Sequence, residues 1–237
     1  MKPARAPKAV PARENGPPPG SRAATSASGP PTSPRPRSGR SPHAGRTRPG
    51  SVETYSHSFF TWALAKHGVK AGRAAGIAGA VGAAFPDLPS FAGTAYYIGP
   101  AYLRDGWSSM DTEEVLRAIY FTGPFGGTGS ALHSAVPVVA LLVAYRLLRL
   151  GRRDRRRILL WFLLGWLGHT VADFFTHVDD VRPLFWPLSD WTWSSPVSYY
   201  NSAYYGRQFF VVNHALMLLT MALLLLARLR RRKTGDM

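Results

Sequence analysis

Ile158-Leu159-Leu160-Trp161-Phe162-Leu163-Leu164-Gly165-Trp166-Leu167-Gly168-His169-Thr170-Val171-Ala172-Asp173-Phe174-Phe175-Thr176-His177 is the stretch that decides how the chain is read. Its first part is apolar all round, and from Ile158 to Phe175 it is about long enough to cross the roughly 30 Å hydrocarbon core of a bilayer. Its last part breaks that character. His169, Asp173 and His177 recur at i, i+4 and i+8 and so share one helical face. Ionisable groups are expensive inside an apolar span and mark functional positions there. The block before it, from Arg146 to Arg157, carries seven Arg and one Asp.

Charge is concentrated in the same way elsewhere. The chain of 237 residues has a formal net charge of +16. Residues 1–50 hold ten Lys/Arg against Glu14, and residues 228–237 hold five against Asp236. Nucleic acid is the first partner such a basic chain suggests. The last two blocks, however, each lie directly at the end of an apolar helix, as the positive-inside rule expects of cytoplasmic flanks. That leaves membrane lipid as the expected partner and nucleic acid only a minor alternative, through the tail. Residues 1–50, rich in Pro, Gly, Ser and Arg, cannot bury enough apolar surface to offset their ordering entropy and are expected to be disordered. They hold no apolar core of signal-peptide type. With no cysteine in the chain, thiolate metal sites and cysteine nucleophiles are excluded.

Two further spans are expected, Ala131–Leu150 and Phe209–Leu226. Residues 57–85 are open to two readings. One is a single span burying Lys66, Lys70 and Arg73, and the other is a helical hairpin turning near His67-Gly68 that brings His57 and Asp87 to one end. Gly72, Gly76, Gly79 and Gly82 suit close helix packing in either. Residues 86–130 read as polar and loop-like. Pro86-Asp87-Leu88-Pro89 ends the preceding helix, Asp111-Thr112-Glu113-Glu114 forms a capping box that opens a short helix through about Tyr120, and Phe121–Ser130 is a Gly-rich connector. Trp186, Trp191, Trp193, Tyr199, Tyr200, Tyr204 and Tyr205 make the segment before the last span an interfacial anchor. The expected fold is an all-α integral membrane bundle of three or four spans. Its parts are a disordered basic tail over 1–50, a membrane-embedded domain over 51–233 and a short tail over 234–237. With the Arg-rich ends in the cytoplasm, Asp87, His133, His169, Asp173 and His214 gather on the opposite face, although they are scattered along the chain.

These pieces, taken in order, resemble the bacterial inner-membrane metal-dependent hydrolase family, itself thought to be distantly related to zinc phospholipases C. The matching positions are His57 in Tyr55-Ser56-His57-Ser58, Asp87 in Pro86-Asp87-Leu88-Pro89, His133 in Leu132-His133-Ser134, and Gly168-His169 followed by Asp173-Phe174-Phe175-Thr176. Leu184-Phe185-Trp186-Pro187 fits too, and the match covers roughly residues 55–190. The resemblance implies a multi-pass inner-membrane protein hydrolysing a phosphoester or lipid-linked substrate with water activated by divalent metal, Zn2+ in the first instance. It implies His57, Asp87, His133, His169, Asp173 and His177 as ligands. Asp87 and Asp173 would be the catalytic carboxylates, with Asp173 bridging two ions. Asp87 and His133 would complete one centre, and His57 and His177 belong to a second.

The chain departs from the family pattern at two points. Pro89 occupies the second acid of the Pro-Asp-x-Asp motif, and Gly127-Thr128 stands where the family has a His-Arg pair, with Ala131-Leu132 directly before His133. The alternative expectation is therefore a catalytically degenerate scaffold on the same frame. In that case His169 and Asp173 are a hydrogen-bonded i, i+4 pair, Asp87 is a helix or turn cap, His57 is a cap or linker residue, and His133 and His177 are interfacial polar residues.

Overall fold

The computed structural model describes residues 53–105 and 113–234. The expected tail over 1–50, the capping residues Asp111-Thr112 and the last three residues lie outside them. Among the described residues the protein is helical, with no strand.

Residues 57–85 form the hairpin. Helix α1 (Thr54–Ala63) loosens into a π turn over Leu64–Gly68, the chain reverses, and α2 runs from Arg73 to Ala84. The charges that made a single span expensive sit at this reversal. Lys70 and Arg73 are exposed, and the Lys66 ammonium lies 4.8 Å over the Trp62 ring, a favourable place for a cation. The reversal uses positive φ at Lys70 (57°) and Gly72 (99°), and at Gly72 the missing Cβ makes this cheap.

The tightest packing in the molecule is between α2 and α8 (Ile158–Thr176). The buried face of α2 is Ala75, Gly76, Ala78, Gly79, Gly82 and Ala83. A Cβ at Gly82 would lie 2.0 Å from the Phe162 carbonyl oxygen, and one at Gly165 would lie 2.1 Å from that of Gly79. No side chain larger than hydrogen fits at either position, so the two backbones touch. Trp161 then fills the space against Ala65, Ala75 and Ala78. Further along, Trp166 packs with Val138, Leu163 and Phe85, and its indole N–H donates to the Leu132 carbonyl at 2.5 Å.

The region expected to be loop is largely helical. Pro86 has no N–H to donate, and α2 gives way to a 3-10 turn over Phe85–Asp87. Helix α3 (Leu88–Tyr97) starts at once, with Pro89 in its first turn, where a proline is tolerated. Helices α4 (Gly99–Asp105) and α5 (Glu113–Tyr120) follow. The Gly-rich stretch is helix α6 (Gly123–His133), not a connector. Its glycines lower helix propensity, but packing overrides this: a Cβ at Gly93 would meet the Phe125 side chain at 3.1 Å.

His133 therefore ends a helix instead of beginning one. Ser134 is extended, its side chain caps α7 (Ala135–Leu147) at Val136 N–H, and its hydroxyl lies near the Leu184 and Trp186 carbonyls. The expected span Ala131–Leu150 is thus a pair of helices bent by 53°.

Asp154, the lone acid of the Arg block, accepts from Ile158 N–H at 2.7 Å and Leu160 N–H at 3.0 Å and so caps α8. The last helix, α9 (Gly206–Thr234), is longer than the expected 209–226. Helices α8 and α9 are long and apolar enough to cross a membrane, and the bent α6–α7 pair makes a third candidate. The segment 177–205 folds back over the end of α8, through Ser195 N–H to His177 O (2.9 Å) and Tyr199 N–H to Thr176 O (3.1 Å). Tyr199 is buried there, while Trp186, Trp191, Trp193, Tyr204 and Tyr205 are exposed.

Candidate metal centre

All six expected residues meet at one place. The glycine crossing sets α8 against α2 so closely that His169 Nδ1 donates to the Ala83 carbonyl at 2.7 Å. One turn later Asp173 projects from the same face. Asp87 follows α2 directly, His133 arrives on the end of α6, and His57 comes from the first turns of α1. His177 is the residue that terminates α8.

Asp173 is the hub. Its Oδ2 lies 3.0 Å from His169 Nε2 and 3.3 Å from His133 Nε2. Its Oδ1 lies 3.4 Å from both His57 Nε2 and His177 Nε2. On the first side, Asp87 Oδ1 is 3.3 Å from His133 Nε2 and 3.7 Å from His169 Nε2, and the two ring nitrogens are 3.2 Å apart. Asp87 Oδ1, His133 Nε2 and His169 Nε2 thus form a compact group with separations of 3.2–3.7 Å that could hold a metal ion, and Asp173 Oδ2 adjoins both of its nitrogens. Bonds of about 2.1 Å to a tetrahedral ion put its ligand atoms about 3.4 Å apart. His57, His169 and Asp173 form a second group that could hold an ion, and His177 Nε2 stands beside it, 3.4 Å from Asp173 Oδ1.

The outer nitrogens carry the stronger message. His169 Nδ1 faces a carbonyl, and so does His133 Nδ1, 2.7 Å from Gly129 O. His177 Nδ1 is 2.9 Å from Asp180 Oδ2. An acceptor at Nδ1 places the proton there and leaves a lone pair on Nε2. Those lone pairs then point at each other and at carboxylates, an arrangement that repels itself unless protons or a cation stand between. The outer partners extend to Asp87, whose Oδ2 accepts from the Thr54 hydroxyl. His133 Nδ1 also has Arg182 Nη1 at 2.9 Å. The Gly129 carbonyl can only accept and the guanidinium can only donate, so this ring nitrogen serves one of the two at a time.

Electrostatics outside the apolar helices agree. Burial opposes a charge on His177, but the Asp173 and Asp180 carboxylates outweigh it and hold the imidazole up to about 10. In the metal-free site a proton therefore occupies the place a cation would take. Burial pushes the Tyr199 hydroxyl up, helped by Asp180 and Asp173, so it stays a donor and reaches Asp180 Oδ2 at 3.3 Å.

Four contributors escaped the sequence. Thr54 carried no pattern, and Tyr199 read only as one of the aromatic residues of an interfacial anchor, whereas it is buried. Glu53 is buried, its carboxyl pushed up by that burial, with Oε2 held by Ser56 and Asn213 and Oε1 without a partner. Arg182 stood out only as a lone cation in an aromatic segment, away from the three basic blocks. His214 stays apart from the cluster, bonded to Tyr55 across the helices and to Phe210 O. Compared with known proteins, the chain matches no family model, no curated sequence and no solved structure.

Proposed function

We propose that this protein is a membrane-embedded metal-dependent hydrolase with a two-centre site. Asp87, His133 and His169 would hold one ion, and Asp173 with His57, and His177 beside them, would take part in holding a second. The observation that carries this is the convergence of four Nε2 atoms on two carboxylates, with Nδ1 of His133, His169 and His177 facing outer acceptors. Zinc suits imidazole and carboxylate ligands, and two such ions at one site supply acidity to a water and positive charge to phosphoryl oxygens. The chain's own residues orient the ligands, exclude bulk water beneath the 177–205 segment and hold protons at His177 Nδ1 and the Tyr199 hydroxyl. A phosphoester, lipid-linked in keeping with a site at one end of apolar helices, is the proposed substrate.

Topology supports the same assignment. The Arg-rich ends of α8 and α9 lie away from the site, so the positive-inside rule puts the site on the outer face of the inner membrane. Three or four crossings are proposed, the fourth depending on whether the α1–α2 hairpin enters the bilayer. The alternative, a scaffold that has lost its chemistry, draws on Pro89 at the place of the family's second acid.

The deciding experiment is the metal content of the detergent-purified protein by mass spectrometry, beside Asp173→Ala. Near-stoichiometric zinc that vanishes in the variant supports the site and justifies a phosphoester screen. Absence of metal in both, after zinc reconstitution, overturns it in favour of the scaffold.

A further inference from the structure

A cavity of about 30 Å³, room enough for water, opens beside the cluster. Its lining includes His133, Thr170, Asp173, His177, Asp180 and Arg182. Arg182 is the one cation among them that is charged at every working pH. Its surroundings are unusual. Asp87, Asp173 and Asp180 are all close enough to favour its charge, while burial disfavours it. Yet among the described residues it forms no ion pair with any of them, and its one hydrogen-bond contact is His133 Nδ1, a nitrogen that also faces Gly129 O. A guanidinium has five N–H donors in a planar fork. Here the fork is held at a cavity with almost all of its donors unspent on protein.

Two more observations give the fork a purpose. Gly129 makes room for it, since a Cβ at that position would lie 2.6 Å from Arg182 Nη1. Charge supplies the second. Asp87, Asp173 and Asp180 with Arg182 carry a formal charge of −2, and two divalent cations would turn this to +2. The filled site then calls for an anion, and the guanidinium is the group on the cavity wall shaped to take one.

We propose that Arg182 is the anion-holding residue of this site, its fork placed to grip the non-reacting oxygens of a phosphoryl group beside the Asp173 carboxylate. The proposal rests on the hydrolase reading for the reaction, though not for binding of the anion itself. It makes Arg182 a substrate-binding residue and not a metal ligand, so its removal spares the metal and costs the anion.

Inorganic phosphate is the probe. Full-length protein in detergent is loaded with zinc, its zinc content is measured, and phosphate is titrated calorimetrically into wild type, Arg182→Gln, Arg182→Lys and Gly129→Ala. Loss of a charge-assisted, forked contact is worth roughly tenfold or more in affinity. Arg182→Gln is expected to weaken phosphate by at least that factor at unchanged zinc content. Arg182→Lys keeps the buried charge without the fork and is expected to fall between. Gly129→Ala displaces the guanidinium end without removing it and is expected to weaken phosphate several-fold, which keeps the test alive if Arg182→Gln does not fold. Phosphate binding to Arg182→Gln within twofold of wild type, or no phosphate binding to zinc-loaded wild type, overturns the proposal and leaves the metal site standing. Arg182-dependent phosphate binding in a protein that never takes up zinc upholds the anion site and removes the metal reading.

Discussion

Helices α8 and α9 are both long and apolar enough to cross a membrane, yet they are built into the molecule differently. A third of the apolar window of α8 is buried inside the protein, against 6% of that of α9. Helix α8 bears His169 and Asp173 and lies backbone to backbone on α2. Helix α9 reaches the rest of the protein mainly near its start, through Asn213 to Glu53 and His214 to Tyr55. Hydropathy alone does not distinguish a helix that carries chemistry from one that meets lipid. What distinguishes them is where small residues let a neighbour come close enough to satisfy polar groups. In a bilayer, moreover, apolar side chains gain little by leaving lipid for one another, so α8 is held by close packing and hydrogen bonds.

The sharpest way to break this contrast is at Asp173. Asp173→Ala removes the carboxylate that lies against both groups, and zinc is expected to fall from near two per chain to below a tenth, read by mass spectrometry. Retention of even one tightly bound ion would show that the groups are independent of Asp173. Next comes the crossing. Gly165→Val forces a side chain into the Gly79 backbone, and overpacking of this kind costs about 3 kcal/mol or more. A thermal melt in detergent should show a large loss, whereas Leu218→Ala on the exposed face of α9 should stay within about 0.5 kcal/mol of wild type. Equal losses at the two helices would abolish the distinction drawn here.

His177→Gln is expected to cost only the second ion, halving zinc while Asp87, His133 and His169 keep the first. The smallest effect is a pH dependence of the metal-free protein. His177 is held up to about 10 in the folded state, against an ordinary value near 6.5. Its contribution to stability is therefore complete below about pH 6.5 and is lost as pH rises through about 10. Chelator-treated wild type should melt at lower temperature at pH 10 than at pH 7, by a margin that His177→Gln lacks. Identical pH slopes would sink the ion pairing assigned to His177.

Much of the site was legible because its residues recur with helical spacing. His169, Asp173 and His177 declare a shared face, and the Arg blocks orient the helices that carry them. The choice between hairpin and span at residues 57–85 was not legible, since it depends on the π turn at Leu64–Gly68. Nor was α6, because Gly-rich sequence lacks propensity and forms a helix here where neighbours need its missing side chains, the Phe121 backbone against Gly126 and Arg182 against Gly129. Pairings such as Thr54 with Asp87 join positions 33 residues apart and leave no trace in local pattern.

Three helices end at the cluster. Helix α2 finishes just before Asp87, α6 finishes at His133, and α8 finishes at His177. Each C-terminus carries a partial negative charge of about half an electron, but α1, α3 and α7 begin within a few residues of His57, Asp87 and His133 and bring the opposite sign. Helix ends therefore offset one another here, and the charge of the spot is set by its carboxylates. Three carboxylates around one guanidinium leave the unfilled site negative, so phosphate titrated before zinc is expected to bind more weakly than phosphate titrated after it, and equal affinities in the two orders would show that the cations play no part in holding the anion.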